Sequence, residues 1–198
     1  VFQPDKGNAM SLTLLQGPGE EPVSLSEAKA YLRVDGAEED VLIGALITSA
    51  RMMVESSCGK ALLTQSWMWR ADAWPRPTLR LPLGPLQSVE EVVLLDADGG
   101  RHVIAAENYQ VLRGLPGRLL KRRGFALPAR PRAEEAFEIS FTAGYGPAGS
   151  DVPALLQRAV LMLTAHWYEN REPVAFGGAA PLPLSLEAML ASFKEMRL

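Results

Sequence analysis

Helical periodicity at both ends of the chain, with strand periodicity between them, limits the fold to a helical body interrupted by a β insertion. The helical signals are explicit. Ser24 and Glu27 have the S-x-x-E spacing of a capping box, which satisfies the first unpaired N–H groups of a helix over about 25–34. Asp35-Gly36 break that helix. Glu38, Glu39 and Asp40 then open a second one, where negative charge complements the helix dipole. Val41, Leu42, Ala45, Leu46, Ser49, Met53 and Val54 run down it as its expected apolar face, and Gly59 suits the residue that ends it.

From about Thr64 to Thr142 the pattern becomes short strands between turns. Trp67 and Trp69 recur at a spacing of two between Ser66 and Arg70, as do Leu79 and Leu81 around Arg80. Phe137, Ile139 and Phe141 alternate with Glu138, Ser140 and Thr142, the signature of a half-buried strand. Asp98-Gly99-Gly100 signals a hairpin between 92–95 and 101–104. Prolines 75, 77, 82, 85, 116, 128 and 131 confine much of this region to edges and loops.

A third helix is expected over 152–172, with Leu155, Leu156, Ala159, Val160, Leu163 and Trp167 on one face. Asp151 is its expected N-cap, Pro153 lies in its first turn, and Pro173 stops it ahead of a loose Gly177-Gly178 segment. Leu184 to Met196 form a last short helix with Leu186, Met189, Leu190 and Phe193 on one side. The expected class is therefore α+β, a bundle of about four helices with an inserted small antiparallel β domain. Residues 1–9 read as an appended leader before Met10. Residues 10–63 and 145–198 are assigned to the helical domain and 64–144 to the β insertion, with the final helix mobile beyond the Ala179–Pro183 turn.

Composition removes several function classes. With 198 residues, 47% of them hydrophobic, the chain can bury a substantial core. A net charge of −3 gives no global attraction to nucleic acid or membrane, and no apolar run approaches the ~20 residues of a membrane span, so no membrane partner is expected. One cysteine, Cys58, forms no internal disulfide, which suits synthesis in a reducing cytoplasm. Catalytic chemistry has no visible constellation: there is no G-x-S-x-G, P-loop or G-x-G-x-x-G. His102 and His166 are the only histidines, too few for a metal site without clustered carboxylates. A Cys58–His166 pair is better read as core packing, and Asp96 with Asp98 as a turn. No catalytic residue, cofactor or metal is expected.

Charge is distributed unevenly. Between Asn108 and Ala133 stand Arg113, Arg118, Lys121, Arg122, Arg123, Arg130 and Arg132, with no acidic residue. Between Glu20 and Ser57 there are eight acidic residues and three basic ones. The basic stretch fits a solvated hairpin, a contact with an acidic face of a neighbouring subunit, or contact with DNA phosphates. Subunit contact is favoured over DNA because no stacking or groove-reading motif accompanies the charges. The cluster His166-Trp167-Tyr168-Glu169-Asn170-Arg171-Glu172 has two readings. Trp167 packs and the rest is a solvated tip, or the cluster pins the following loop or meets a neighbour, with Trp167, Tyr168 and Arg171 as contacts.

Taken in order, Val23–Asp35, Asp40–Glu55 with Gly59–Leu62 and Gln65–Trp67, Leu81–Val89 with Asp96–Gly99, Phe141–Gly146, and Val152–Glu172 resemble the head–tail connector (adaptor) family of long-tailed phages, prophages and gene transfer agents. The resemblance spans roughly Val23 to Arg197 and rests on order and spacing, since each motif alone is core pattern or turn chemistry. It implies a non-enzymatic structural protein, made in a bacterial cytoplasm and resident at the head–tail junction. It further implies a ring, dodecameric on the family pattern, that sits on the portal protein, extends the DNA channel and offers a platform to a stopper or tail-completion protein. Non-specific contact with channel DNA is compatible with that role. Arg113, Arg118, Lys121, Arg122, Arg123, Trp167, Tyr168, Arg171, Leu186, Met189, Leu190 and Phe193 are the interface candidates. The reading that competes with it is a nucleic-acid-binding accessory protein using the 113–132 stretch.

Overall fold

Ser24 starts the first helix as its spacing requires. Its hydroxyl accepts from the Glu27 N–H at 3.2 Å while the Glu27 carboxylate accepts from the Ser24 N–H at 2.8 Å. Helix α1 (Leu25–Leu32) ends two residues before the expected break, because Arg33 takes the left-handed conformation (φ 58°) and its N–H caps the last turn. Helix α2 (Asp40–Cys58) closes at Gly59, also left-handed at φ 65°, where glycine carries no steric cost. These elements come from a computed structural model that describes residues 11–74, 78–170 and 184–193.

The chain divides into two compact units, one formed by Gly19–Leu63 with Tyr145–Leu198, the other by Val1–Pro18 with Thr64–Gly144. In the helical unit, α2 packs on α1, on α3 (Ala154–Glu169) and on α4 (Leu184–Ala191). Its core joins Ile43, Ile47, Ala50, Val54 and Cys58 of α2 to Leu156, Ala159, Val160 and Leu163 of α3, with Ala28, Leu186 and Leu190. Each large aliphatic side chain so buried contributes about 1.5–3 kcal/mol. The Tyr145 N–H donates to the Leu62 carbonyl at 3.2 Å, so the chain returns to this unit where it left.

Helix α2 corrects the expected apolar face. Val41, Leu42, Ala45, Ser49 and Met53 face solvent, Leu46 is half-buried, and only Val54 of that set is buried. The helix carries two apolar stripes, and burying the one through Ile43, Ile47, Ala50 and Val54 also places Arg51 and Glu55 beside Glu21. By length and composition α2 could cross a membrane, since both sides are apolar. Its buried stripe belongs instead to the core of this unit.

Helix α3 also begins differently. Asp151 closes a 3-10 turn (Gly149–Asp151), its carboxylate accepting from the Ala148 N–H at 3.0 Å, and Pro153 takes the N-cap position of α3. Leu155 is 53% exposed, off the face its neighbour Leu156 occupies. The helix ends at Asn170, whose N–H donates to the His166 carbonyl. Pro173, Gly177-Gly178 and the Ala179–Pro183 turn lie outside the described residues.

The β unit holds a five-stranded antiparallel sheet in the order β1-β2-β8-β4-β5: β1 (Ser11–Gln16), β2 (Gln65–Ala71), β8 (Phe137–Ala143), β4 (Leu86–Leu95) and β5 (Arg101–Val103). The central strand β8 buries Phe137, Ile139, Phe141 and Ala143 in strict alternation. In β2, Trp69 is buried and Trp67 half-buried. Asp96 shapes the β4–β5 turn by accepting from the Asp98 and Gly100 N–H groups at 2.9 and 2.6 Å. Strand β1 overturns the assignment of residue 10 onward to the helical body. Among the described residues it is an edge strand paired to β2 alone, and its mostly exposed side chains leave no burial alternation to read. A second sheet, β3-β7-β6, joins β3 (Thr78–Arg80), β7 (Arg118–Lys121) and β6 (Tyr109–Leu112), with Leu79 and Leu119 buried side by side.

Candidate assembly interfaces

Most of the basic stretch stands free on the three-stranded sheet and the loops beside it. Arg113, Arg118, Arg122, Arg123 and Arg130 are exposed, and Lys121 is half-buried. Among the described residues none of these six makes a salt bridge, whereas Arg132 reaches Glu135 at 3.6 Å. Strand pairing adds a residue that the sequence reading missed. Exposed Arg80 lies directly across from Arg118, a like-charge pair that costs stability in isolation. The positions are 38 apart in sequence, so only register could reveal them.

In the helical unit most acidic groups have local partners. Arg51 donates through Nε to Glu21 and through Nη1 to Glu55, both at 2.8 Å, and Glu55 also accepts from the Leu62 N–H at 2.9 Å. Lys29 meets Asp40 at 2.5 Å. The Ser24 hydroxyl and N–H hold the Glu27 carboxyl below its ordinary range. Glu20, Glu21 and Glu27 line an open groove with Val23, Gly44, Ile47, Gly149 and Gln157, and among the described residues no basic side chain lines it, Arg51 meeting Glu21 from the core side. The acidic side chains of this unit thus gather at a groove mouth rather than over a broad face.

The remaining interface candidates among the described residues lie within the chain's own fold. Leu186 and Leu190 are buried in the helical core, and Met189, Phe193, Trp167 and Tyr168 pack partly against it. The Tyr168 hydroxyl donates to Glu39, tying the end of α3 to the start of α2. His166 carries the C-terminal cap through its carbonyl, and Arg171 lies outside the described residues. Burial pushes the Cys58 thiol up to about 11, and its Sγ lies 2.9 Å from the Val54 carbonyl. His102 Nε2 sits 2.6 Å from Asp96 Oδ2, and this bond with the Gly100 N–H holds the Asp96 carboxyl below its usual range. Among the described residues no cluster of His, Cys, Asp and Glu could hold a metal ion.

Among the described residues the features that stand out are surfaces: a basic patch on the three-stranded sheet and its loops, an acidic groove and an apolar outer face on α2. No curated protein matches the sequence. Three solved chains are similar over almost their whole length. One is from the neck of an empty gene transfer agent particle computed with C6 symmetry, with TM-score 0.79, 25% identity, and 95% of this chain and 97% of that one covered. A second is from the virion of a native gene transfer agent particle, with TM-score 0.77, 27% identity and 94% and 96% covered. A third is from the neck of a native particle computed with C12 symmetry, with TM-score 0.73, 26% identity and 95% and 97% covered. The head completion protein family matches residues 21–181, both parts of the helical unit and the β strands between them, and the chain belongs to that family of phage and gene transfer agent head–tail connectors.

Proposed function

We propose that this chain is a subunit of a ring seated on the portal vertex, where it extends the DNA channel and presents a platform to a stopper or tail-completion protein. The observation that carries this reading is the near full-length likeness to chains of particle necks computed with C6 and C12 symmetry. The family is structural, which agrees with a site made of surfaces rather than reacting groups. In this reading the basic patch of one copy (Arg80, Arg118, Lys121, Arg122, Arg123) meets the acidic groove mouth of the next (Glu20, Glu21, Glu27). A head-to-tail ring brings unlike faces of identical subunits together, and opposite charges set their register.

Mixing the purified chain with its portal ring tests the proposal. Co-sedimentation of a ring of copies with the portal is the expected result. Failure to bind the portal, together with salt-dependent retention on DNA of any sequence, would favour the nucleic-acid reading of the same basic residues.

A further inference from the structure

Helix α2 has its charges on the inside and its apolar residues on the outside. Asp40, Arg51 and Glu55 are all engaged with Lys29, Glu21 or each other. The opposite side presents Val41 (88% exposed), Leu42, Ala45, Ser49, Met52 (59%) and Met53, without one charged side chain along it. At 1.5 Å per residue this neutral stripe runs for roughly 18 Å. A contiguous exposed apolar stripe of that kind marks an interaction surface.

We infer that the outer face of α2 is a lateral contact with a second copy of this chain. The inference rests on the ring reading above and assigns a surface to it. A membrane surface is a poor occupant, because interfacial helices carry Lys and Arg on their polar side, whereas the only basic residue of α2 is buried Arg51. Nucleic acid is equally poor, since the stripe offers no cation to a phosphate. The helical unit itself supplies the complement. Among its described residues the other exposed large hydrophobics are Tyr31 on α1 and Leu155 on α3, joined by Arg158, whose guanidinium lies 4.8 Å over the Tyr31 ring. One unit carrying two different apolar patches associates head to tail, the geometry that closes rings. The stripe is also small. Four large side chains fall short of the about 800 Å² per partner of a stable pair, so the contact holds only where many are made at once.

A photo-crosslinking residue, p-benzoylphenylalanine, placed at Met52 and separately at Val41, tests this in particles made by the native host. The expected product has twice the mass of the chain, with crosslinked peptides containing Tyr31 or Leu155 of another copy. Crosslinks to a different protein, or none while the chain is present in the particle, would overturn the inference and leave the ring reading standing. Absence of the wild-type chain from purified particles would overturn the ring reading itself. In parallel, the double variant Val41→Asp, Met52→Asp should keep the melting temperature of the wild type and lose roughly tenfold or more in incorporation. Normal incorporation of that variant would equally overturn the lateral contact.

Discussion

Arg51 shows how a single side chain fixes the orientation of a helix. It is buried between two carboxylates, one 30 positions before it in sequence and one a helical turn after it. Replacing it by alanine leaves both carboxylates facing each other, so Arg51→Ala should cost about 3 kcal/mol in thermal or urea unfolding. Cys58 responds to the same burial. With its pKa moved from 9.0 to about 11, the folded thiol at pH 8 carries about a hundredfold less thiolate than the unfolded one. Alkylation by iodoacetamide, followed by mass spectrometry, should be slow in the native state and fast in urea. The sign also sets an alkaline limit. The thiol stays neutral in the folded chain while the unfolded one ionises, so stability falls as pH rises from 9.0 towards 11. At this scale the sequence was legible only where partners are neighbours. The Ser24–Glu27 box could be read because its members are three positions apart, whereas the Glu21–Arg51 pair could not.

At the scale of elements, legibility followed uniqueness of pattern. Strand β8 has one possible inner face and was readable, but α2 has two apolar stripes, and periodicity alone ranks them equally. Strand β1 was missed because an edge strand need not alternate, and the Arg80–Arg118 row was missed because pairing register is not local. That row and its neighbours carry two predictions. Reversing Lys121, Arg122 and Arg123 to glutamate should change stability by no more than about 0.5 kcal/mol, since none forms an ion pair among the described residues, yet should block co-sedimentation with the portal. Arg80→Glu should raise the melting point slightly, because an opposed like pair becomes an opposite one worth about 0.2–1 kcal/mol. A clear loss of stability there would mean that Arg80 has a role the strand register does not convey.

For the whole molecule, sequence order correctly suggested a helical body around a β insertion but not the N-terminal strand that the β unit also claims. We expect the chain to sediment as a monomer at micromolar concentration, because its outer apolar stripe is too small to hold a pair and its charged surfaces act only in register. Removing residues from Leu184 onward exposes the core positions that Leu186 and Leu190 fill. Each lost leucine should cost about 2–5 kcal/mol, so a binding defect in that truncation must be judged beside its melting curve. The Leu62–Tyr145 hydrogen bond has a further consequence, for modular exchange. Because the chain departs from the helical unit and returns to it at adjacent points, residues 64–144, together with the strand β1 that pairs with them, are the part to exchange while the helical core stays closed. A chain of residues 19–63 joined by two glycines to 145–198 should keep its helices, as measured by circular dichroism, since so short a loop costs little to close. Different β units could then be carried on one helical body, changing what the body meets without disturbing how it folds.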